Sequence, residues 1–571
     1  MKYLWLGILF FAAAYLIPAA GRPMMRPDEF RYAEIPHEML ESGDFVTPRL
    51  LGARYFEKPV LGYWLVAASF RVFGENRFSL RLPMALAAGL TALLIGLWVR
   101  REKRDDGAGC FAALLYLSSA LAFALGTTAV LDAPLCLFTT ATIICARMAV
   151  TTERWNFERS ILLVLCGVCA GLGFLTKGFV AWAVPGCVVA VWLLWEKRFR
   201  VFLWLPWLPL AVLAATILPW VWAIHRADAD FWHYFIVVEH FQRFRADAGT
   251  QHPEPLWYFV PVLLATVFPA ALAALPGLAA GGKAWKALWR DPVWRFAFCG
   301  FLPPFLFFSA SSGKLATYIL PCYPFLAVLA ALPTVGALRS GERGALLTQR
   351  ATFDALGWIL FVGGSGCAAL GLALLPPVSL YRVFPELEGG WSFFVLIGVA
   401  AVAGGIALIR LRTGTPARRS AGFFAALALI GAATAAMPDF GSDKMPARDL
   451  AALRDSGEFD AKTMLPVTYG QLGHSVAWIM NRSDTRLIRS LGEMAYGEKR
   501  ARREGEKPLF RNDREFSELL GRSDRPEVVY FTLVDSDISK NFKVFPHRHV
   551  VRRSMRAVVF PPASRPAPPA R

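Results

Sequence analysis

Residues 4–17 read LWLGILFFAAAYLI, and residues 22–40 read RPMMRPDEFRYAEIPHEML. The first run is apolar enough to enter a membrane, and the second places acids and bases directly behind it. The charged stretch continues as ESGDFVTPRL (41–50) and YFEKP (55–59). Because this stretch follows a single apolar run, we expect it to emerge onto one face of a membrane and to meet a phosphorylated, lipid-borne substrate there.

The composition indicates an α-helical polytopic membrane protein. The 571 residues are 56% hydrophobic with a mean hydropathy of +0.42, and only 18% are charged. Soluble domains carry roughly 25% charged residues. Apolar segments that can cross about 30 Å of hydrocarbon recur along the chain. About thirteen spans are predicted, near residues 3–21, 79–99, 108–126, 129–148, 160–176, 179–195, 202–224, 256–278, 293–310, 315–337, 353–375, 391–411 and 420–437.

Basic residues are concentrated in alternate short loops between these spans. By the positive-inside rule such loops face the cytoplasm. The first loop (22–78), the loop at 225–255 and everything after 437 then lie outside it. The net charge of +18 is largely explained by this topology, so we expect membrane lipids and no nucleic acid as partners. The basic loops are 100–104, 197–200, 283–290, 339–350 and 410–419.

The first external loop is predicted to contain two helices that lie on the membrane surface. Residues 27–40 have an amphipathic pattern, begin with a proline and end at Ser42-Gly43-Asp44. Residues 60–73 form an apolar run that is too short to cross. Asp28 and Arg31 are three residues apart and share a helical face, whereas Glu29 points elsewhere.

Asp28, Glu29 and Arg31 in the first helix, with Glu57 and Lys58 at the entry to the second, form a candidate site. Guanidinium and ammonium groups suit a phosphate. Surface ion pairs at the headgroup boundary are the alternative.

Four more polar residues are candidates because of where they fall relative to the spans. Asp132 and Lys177 lie at span ends in apolar surroundings, where ionisable groups usually face a cavity. A helix-capping aspartate and a snorkelling lysine are the alternatives. Lys314 and Tyr318 lie in SASSGKLATYILP (309–321), between two spans on the same predicted face. Gly313 beside Lys314 suits contact with a phosphate, and an interface anchor is the alternative for Lys314.

One external loop is a candidate for metal binding. The loop at 225–255 holds four of the eight histidines. His and Glu from it could hold Zn²⁺ together with Glu57, but no compact H-x-x-H or C-x-x-C spacing is present. The nine cysteines all lie in or beside apolar segments and give no disulfide framework.

The composition changes after the last span. From 438 to 560 short β-like runs alternate with short helical ones, which predicts a small soluble α/β domain behind a transmembrane domain of residues 1–437. Residues 561–571 are rich in Pro, Ala and Arg and are predicted to be disordered.

Five separated motifs carry a family resemblance. They are RPDEFRYAEI (26–35), YFEKPVLGYW (55–64), VVEHFQRF (237–244), HPEPLWYF (252–259) and SSGKLATYILPC (311–322). Together they resemble the lipid A aminoarabinose transferases. Those enzymes belong to the C-type glycosyltransferase superfamily, which also contains the protein O-mannosyltransferases. The resemblance covers roughly residues 3–330.

The resemblance implies a monomeric enzyme of the bacterial inner membrane, with its active site and C-terminal domain in the periplasm. It would move 4-amino-4-deoxy-L-arabinose from undecaprenyl phosphate to a lipid A phosphate with inversion. Another glycan or protein Ser/Thr is the alternative acceptor, and a transporter is less favoured because the charges gather at one face. The implied roles are catalysis for Asp28 and Asp132, donor-phosphate binding for Arg31, Lys58 and Tyr318, cavity lining for Glu29, Lys177 and Lys314, and a zinc pair for Glu57 and His240.

Overall fold

The computed structural model describes residues 4–152, 155–242, 253–375, 378, 390–439, 445–489, 494–505, 509, 512–536, 538 and 540–563. Within these ranges ten helices are long and apolar enough to cross a membrane. The predicted α-helical polytopic fold is therefore confirmed. The ten helices are Leu4–Gly21, Arg77–Lys103, Asp132–Thr151, Phe157–Lys177, Phe199–Ala227, Pro292–Ala310, Ala316–Arg339, Arg343–Ala373, Trp391–Thr413 and Pro416–Ala436.

The other three predicted spans form shorter helices, so the count of thirteen stays a prediction. The run at 179–195 is the helix Val180–Trp195. The run at 108–126 divides at Ser119 into Asp106–Ser118 and Ala120–Gly126. The run at 256–278 divides before Pro269 into Phe259–Thr266 and Ala270–Leu278. A proline breaks a helix because it has no N–H. The two breaks meet, since the N–H of Ala120 donates to the carbonyl of Phe268 at 3.0 Å.

The two helices predicted in the first loop are present, and the stretch between them contains a hairpin that was not predicted. Helix α1 (Asp28–Ser42) ends at Gly43, which has a φ of 72° and donates its N–H to the carbonyl of Met39. Glycine adopts this left-handed conformation without strain. A two-stranded antiparallel hairpin, β1 (Arg49–Leu50) and β2 (Ala53–Arg54), follows, and then helix α2 (Leu61–Phe73).

The predicted C-terminal α/β domain is present. Its five strands stand in the order β4-β3-β5-β7-β6, with β3 parallel to β4 and β5 and the other pairs antiparallel. Alternate residues of β5 pack into two different apolar cores, one on each face of the sheet. The strands are β3 (Leu465–Tyr469), β4 (Arg486–Ile488), β5 (Val528–Leu533), β6 (Arg548–Arg552) and β7 (Met555–Phe560).

The helices of this domain lie against its sheet and against the first loop. Helix α3 (Leu472–Met480) packs on α1, and helix α4 (Ala495–Glu504) packs on β2. The described part of the domain also contains three shorter helices: Ala447–Arg454, Asp513–Leu520 and Lys540–Lys543. The π-helix His233–Gln242 and the helix Gly282–Leu288 lie between spans. The first loop and the C-terminal domain therefore share one side of the bundle.

Candidate functional site

Asp28 and Arg31 form the centre of the candidate site. Both lie in the first turn of α1, and the three-residue spacing brings the Arg31 guanidinium against the Asp28 carboxylate in an ion pair. Arg31 also donates to the hydroxyl of Tyr55 at 3.1 Å. The Asp28 side chain is 47% exposed and that of Arg31 is 10% exposed. The carboxylate is thus open to an incoming molecule, while the guanidinium is oriented by its neighbours.

Glu29 points away from this pair and is built into the protein. It is 1% exposed, and its oxygens accept from Arg81 Nε at 2.6 Å and Nη2 at 2.7 Å. The N–H groups of Met25 and Ala129 donate to it as well, at 2.9 and 3.0 Å. Burial alone would raise the pKa of Glu29, but the charge and hydrogen bonds of Arg81 and these N–H groups lower it below its ordinary value.

Tyr32 shows that the predicted acids converge. Burial raises the pKa of its hydroxyl; the positive charge of Arg31 opposes this, and the negative charges of Asp28, Asp132 and Glu57 add to it. Residues from α1, from the segment before α2 and from a span end therefore all act on one tyrosine.

Glu57 and Lys58 lie between β2 and α2. The Lys58 ammonium donates to the carbonyl of Glu57 at 3.0 Å and is 3.7 Å from the Glu57 carboxylate. The Lys58 side chain is 20% exposed, so its cation can still reach a ligand. Tyr55, which holds Arg31, precedes Lys58 by three residues. One short segment thereby connects both cations that are predicted to bind phosphate.

Asp132 and Lys177 meet each other, although 45 residues separate them. Asp132 opens the helix Asp132–Thr151, and Lys177 closes the helix Phe157–Lys177. The ammonium donates to the carboxylate at 2.7 Å and lies 5.3 Å from the ring centre of Tyr318. Asp28 is close enough to act electrostatically on the same ammonium. Three more predicted residues therefore join the site at the ends of spans.

Lys314 is buried and holds a loop together. Its ammonium donates to the carbonyl of Glu254 at 2.7 Å and to that of Ser311 at 2.5 Å. This links the segment after residue 252 to the end of the helix Pro292–Ala310. These two hydrogen bonds use two of the three N–H donors of the ammonium.

The predicted zinc pair has only one described side chain. Glu57 is buried, but the side chain of His240 lies outside the described residues. Among the residues that the structure describes, no group of three or more His, Cys, Asp or Glu side chains converges. The pair stays a prediction.

Further along α1, two acidic side chains, Glu34 and Glu38, are buried between the first loop and the C-terminal domain. Glu38 accepts from the N–H groups of Leu51 and Gly52 at 2.6 and 3.0 Å, which fixes the β1–β2 turn. Burial raises the pKa of Glu34 to about 7 and that of Glu38 to about 8. A hydrogen bond to Glu75 raises the pKa of His37 to about 9. These side chains therefore connect α1 to the β1–β2 turn and to Glu75.

Three residues of the site were not predicted from the sequence: Arg81, Tyr32 and Tyr55. Arg81 lies in a predicted span. A charge there is costly and needs a partner, so its position in the sequence could have marked it as a candidate. The two tyrosines stand within the charged motifs but have no pattern that marks them as partners of Arg31. Only their contacts identify them.

The arrangement can bind a phosphate beside a carboxylate. Two cations, the buried Arg31 and the partly exposed Lys58, can neutralise an anion. An open carboxylate, Asp28, lies next to them, and the Asp132–Lys177 pair lies behind. Such a set suits a reaction in which negative charge develops on a leaving phosphate.

A family profile and individual relatives of this chain both belong to glycosyltransferases that use lipid-linked sugars. The sequence profile of the dolichyl-phosphate-mannose-protein mannosyltransferases matches residues 1–235. An undecaprenyl phosphate-α-4-amino-4-deoxy-L-arabinose arabinosyl transferase of Aeromonas salmonicida is 36% identical over 500 residues, covering 86% of this chain and 87% of that one. The transferase of the same name from Pectobacterium atrosepticum is 35% identical over 557 residues, covering 97% of this chain and 96% of that one.

A solved structure shares the fold. The crystal structure of ArnT from Cupriavidus metallidurans bound to undecaprenyl phosphate superposes with a TM-score of 0.73 at 22% sequence identity. The match covers 98% of this chain and 97% of that chain. Both the membrane part and the C-terminal domain are therefore common to the two folds.

Proposed function

Because the chain belongs to the undecaprenyl phosphate-α-4-amino-4-deoxy-L-arabinose arabinosyl transferase family, we propose that it transfers this sugar from undecaprenyl phosphate to a phosphate of lipid A. The observation that carries the proposal is the open Asp28 carboxylate beside the Arg31 guanidinium at the end of a span. A lipid-linked donor can present its phosphate there while its chain stays in the bilayer. The enzyme acts as a monomer in the inner membrane with this face in the periplasm.

The donor phosphate is held by Arg31, Lys58 and Tyr318. As the bond between the anomeric carbon and the phosphate oxygen breaks, the electron pair stays on the phosphate, and the two cations stabilise the growing negative charge. The hydroxyl of Tyr318 adds a neutral donor next to Lys177. The undecaprenyl phosphate then leaves as an anion.

Asp28 acts on the sugar side of the same bond. Its carboxylate stabilises the positive charge that develops at the anomeric carbon and orients the acceptor oxygen for attack from the opposite face. One displacement of this kind inverts the anomeric centre. A lipid A phosphate is already ionised, so Asp28 need not remove a proton. A hydroxyl acceptor would need it as a general base.

Asp132 and Lys177 support the site from the bilayer side. Their ion pair lies within electrostatic range of Asp28, and it orients the ammonium toward Tyr318. Zn²⁺ at Glu57 and His240 would add a further positive charge beside the phosphate. No step of the proposed reaction depends on this ion.

The test is transfer by purified protein in vesicles that contain the undecaprenyl-linked aminoarabinose donor and lipid A. Mass spectrometry of the lipid A should show the addition of one aminoarabinose residue, and NMR should show an inverted anomeric configuration. A peptide rich in Ser and Thr and an undecaprenyl-linked hexose serve as control acceptor and donor. Transfer to the peptide but not to lipid A would replace the proposed acceptor.

The orientation needs a separate experiment. A reporter that is active only in the periplasm, fused after Arg571, should be active, and the same reporter placed within 100–106 should be inactive. Swapped activities would place the site on the cytoplasmic side and contradict the proposal.

A further inference from the structure

The segment that carries Tyr55, Glu57 and Lys58 is held from outside the membrane part of the chain. It leaves β2 at Arg54 and reaches Lys58 within a few residues. So short a connection transmits any displacement of β2 to Lys58. Tyr55, the first residue after β2, also holds the Arg31 guanidinium. Whatever fixes β2 therefore influences both cations of the site.

Helix α4 of the C-terminal domain approaches β2 as closely as a backbone can. A Cβ atom at Gly497 would lie 2.3 Å from the carbonyl oxygen of Arg54 and 3.1 Å from the Cβ of Ala53. No other residue fits there without separating the two elements. Glycine within a helix is unfavourable relative to alanine, so the close approach explains its presence.

An ion network links the same two elements to a third. The Arg54 guanidinium donates to Asp228 at 2.7 Å and to Glu504 at 2.8 Å. The Asp228 side chain is fully buried, and a buried carboxylate needs such a partner. Arg500 bonds to Glu504 at 2.7 Å and to Asp230 at 2.8 Å. The hairpin, the end of the span Phe199–Ala227 and α4 are thereby joined.

Aromatic packing continues the contact toward the site. The ring of Phe56 lies 5.0 Å from that of Phe231 and 5.5 Å from that of Tyr496 in α4. Tyr496 also packs on Tyr234 at 4.6 Å. Phe56 is 1% exposed and directly precedes Glu57. Its ring is thus fixed between the C-terminal domain and the loop after residue 227.

We propose that the C-terminal domain positions the donor-phosphate site, with α4 holding β2 and Phe56 so that Lys58 and the Tyr55–Arg31 contact stay in place. Gly497, Arg54 and Glu504 are positioning residues. They hold α4 against β2 and do not belong to the set of residues proposed to bind the phosphate. This role rests on the proposed function. It gives the soluble domain a part in the reaction without a catalytic group of its own.

The test compares two pairs of full-length variants. Gly497→Ala forces α4 away from β2, and its control is Gly521→Ala, where a Cβ would come no closer than 3.6 Å to any atom. Glu504→Gln removes a charge from the network. Its control is Glu518→Gln, which loses an exposed ion pair with Arg514 elsewhere in the domain. Hydrogen exchange of residues 53–58, undecaprenyl phosphate binding, kcat, KM for the donor and unfolding temperature are measured for each variant.

Gly497→Ala and Glu504→Gln should raise exchange at 53–58 and lower kcat/KM by roughly ten- to hundredfold, as small misplacements of a site do. Both variants should be folded at the assay temperature, although the unfolding temperature of Gly497→Ala should lie below that of Gly521→Ala because its Cβ has no room. The inference would be overturned if a folded Gly497→Ala protein showed the same hydrogen exchange at 53–58, the same undecaprenyl phosphate binding and the same turnover as the wild type. If Gly497→Ala does not fold, Glu504→Gln decides by the same criteria. A wild-type protein that fails to bind undecaprenyl phosphate would refute the proposed function, while the exchange result would still test the positioning.

Discussion

Asp28 and Glu29 are adjacent at the start of α1, and neutralising each of them should have a different effect. Glu29→Gln should mainly lower the stability of the fold, and Asp28→Asn should mainly abolish transfer. In Glu29→Gln the carboxylate is replaced by an amide of the same shape, and Arg81 is left fully buried without its counter-charge. The Glu29 carboxylate accepts four hydrogen bonds, two from the Arg81 guanidinium and two from backbone N–H groups. The amide nitrogen of glutamine is a donor, so in Glu29→Gln it would face one of these donors and lose that hydrogen bond. In Asp28→Asn the changed carboxylate is 47% exposed, so solvent already screens much of its charge, and its partner Arg31 keeps a hydrogen bond to Tyr55.

The expected magnitudes differ clearly. Removing one partner of a buried ion pair costs about 3–5 kcal/mol of folding free energy. An exposed pair contributes about 0–1 kcal/mol. Glu29→Gln should therefore lower the unfolding temperature markedly, whereas Asp28→Asn should leave it close to that of the wild type. Transfer should be abolished in Asp28→Asn, with undecaprenyl phosphate still bound. In the fraction of Glu29→Gln that stays folded, transfer should be much less affected.

The assay needs both measurements on equal amounts of purified protein. The folded fraction after heating in detergent reports stability, and mass spectrometry of lipid A reports transfer. An Asp28→Asn protein that transfers sugar, beside a folded but inactive Glu29→Gln protein, would show that the wrong acid was chosen. A Glu29→Gln protein as heat-resistant as the wild type would refute the energetic argument for the pair with Arg81.

Three further outcomes are expected. Arg31→Ala and Lys58→Ala should each lower transfer about tenfold or more, since each removes a charge-assisted contact of about 1.5–3 kcal/mol; normal turnover in both variants would show that these two cations do not bind the donor phosphate. Asp132→Asn should weaken donor binding, because Lys177 loses its partner at 2.7 Å, and unchanged binding in a titration would contradict this. Glu34, whose pKa burial raises from 4.5 to about 7, keeps its proton longer in the folded state, so its contribution to stability is complete below pH 4.5 and is lost as the pH rises through about 7. The wild type should unfold at lower temperature as the pH rises through this window, and Glu34→Gln should flatten that dependence.

Local features of the fold followed from the sequence because they depend on neighbouring residues. Both helices of the first loop and the shared face of Asp28 and Arg31 were predicted and are confirmed. Their position on the membrane surface stays a prediction. The α-helical membrane fold and the C-terminal α/β domain were predicted as well. Apolar length and residue spacing determine such features without reference to distant parts of the chain. The roles of the individual site residues stay predictions.

The two broken helices show where this local reasoning ends. The runs at 108–126 and 256–278 are apolar enough to read as continuous spans, yet each divides where Ser119 and Pro269 pair with each other. Pro269 marks the break within 256–278 in the sequence, whereas no proline marks the break at Ser119. Pairing between segments that are far apart in sequence decided the outcome.

The sequence by itself determined that this chain is a membrane protein whose charged first loop emerges beside a span, because hydrophobic length and charge placement are local quantities. Only the tertiary structure decided which charges from distant parts of the chain meet. Glu29 and Arg81 are 52 residues apart, and Arg54 and Glu504 are 450 apart. Such partners are chosen by the packing of whole helices and of the C-terminal domain. That packing depends on the shapes of many surfaces at once, and no short pattern records it.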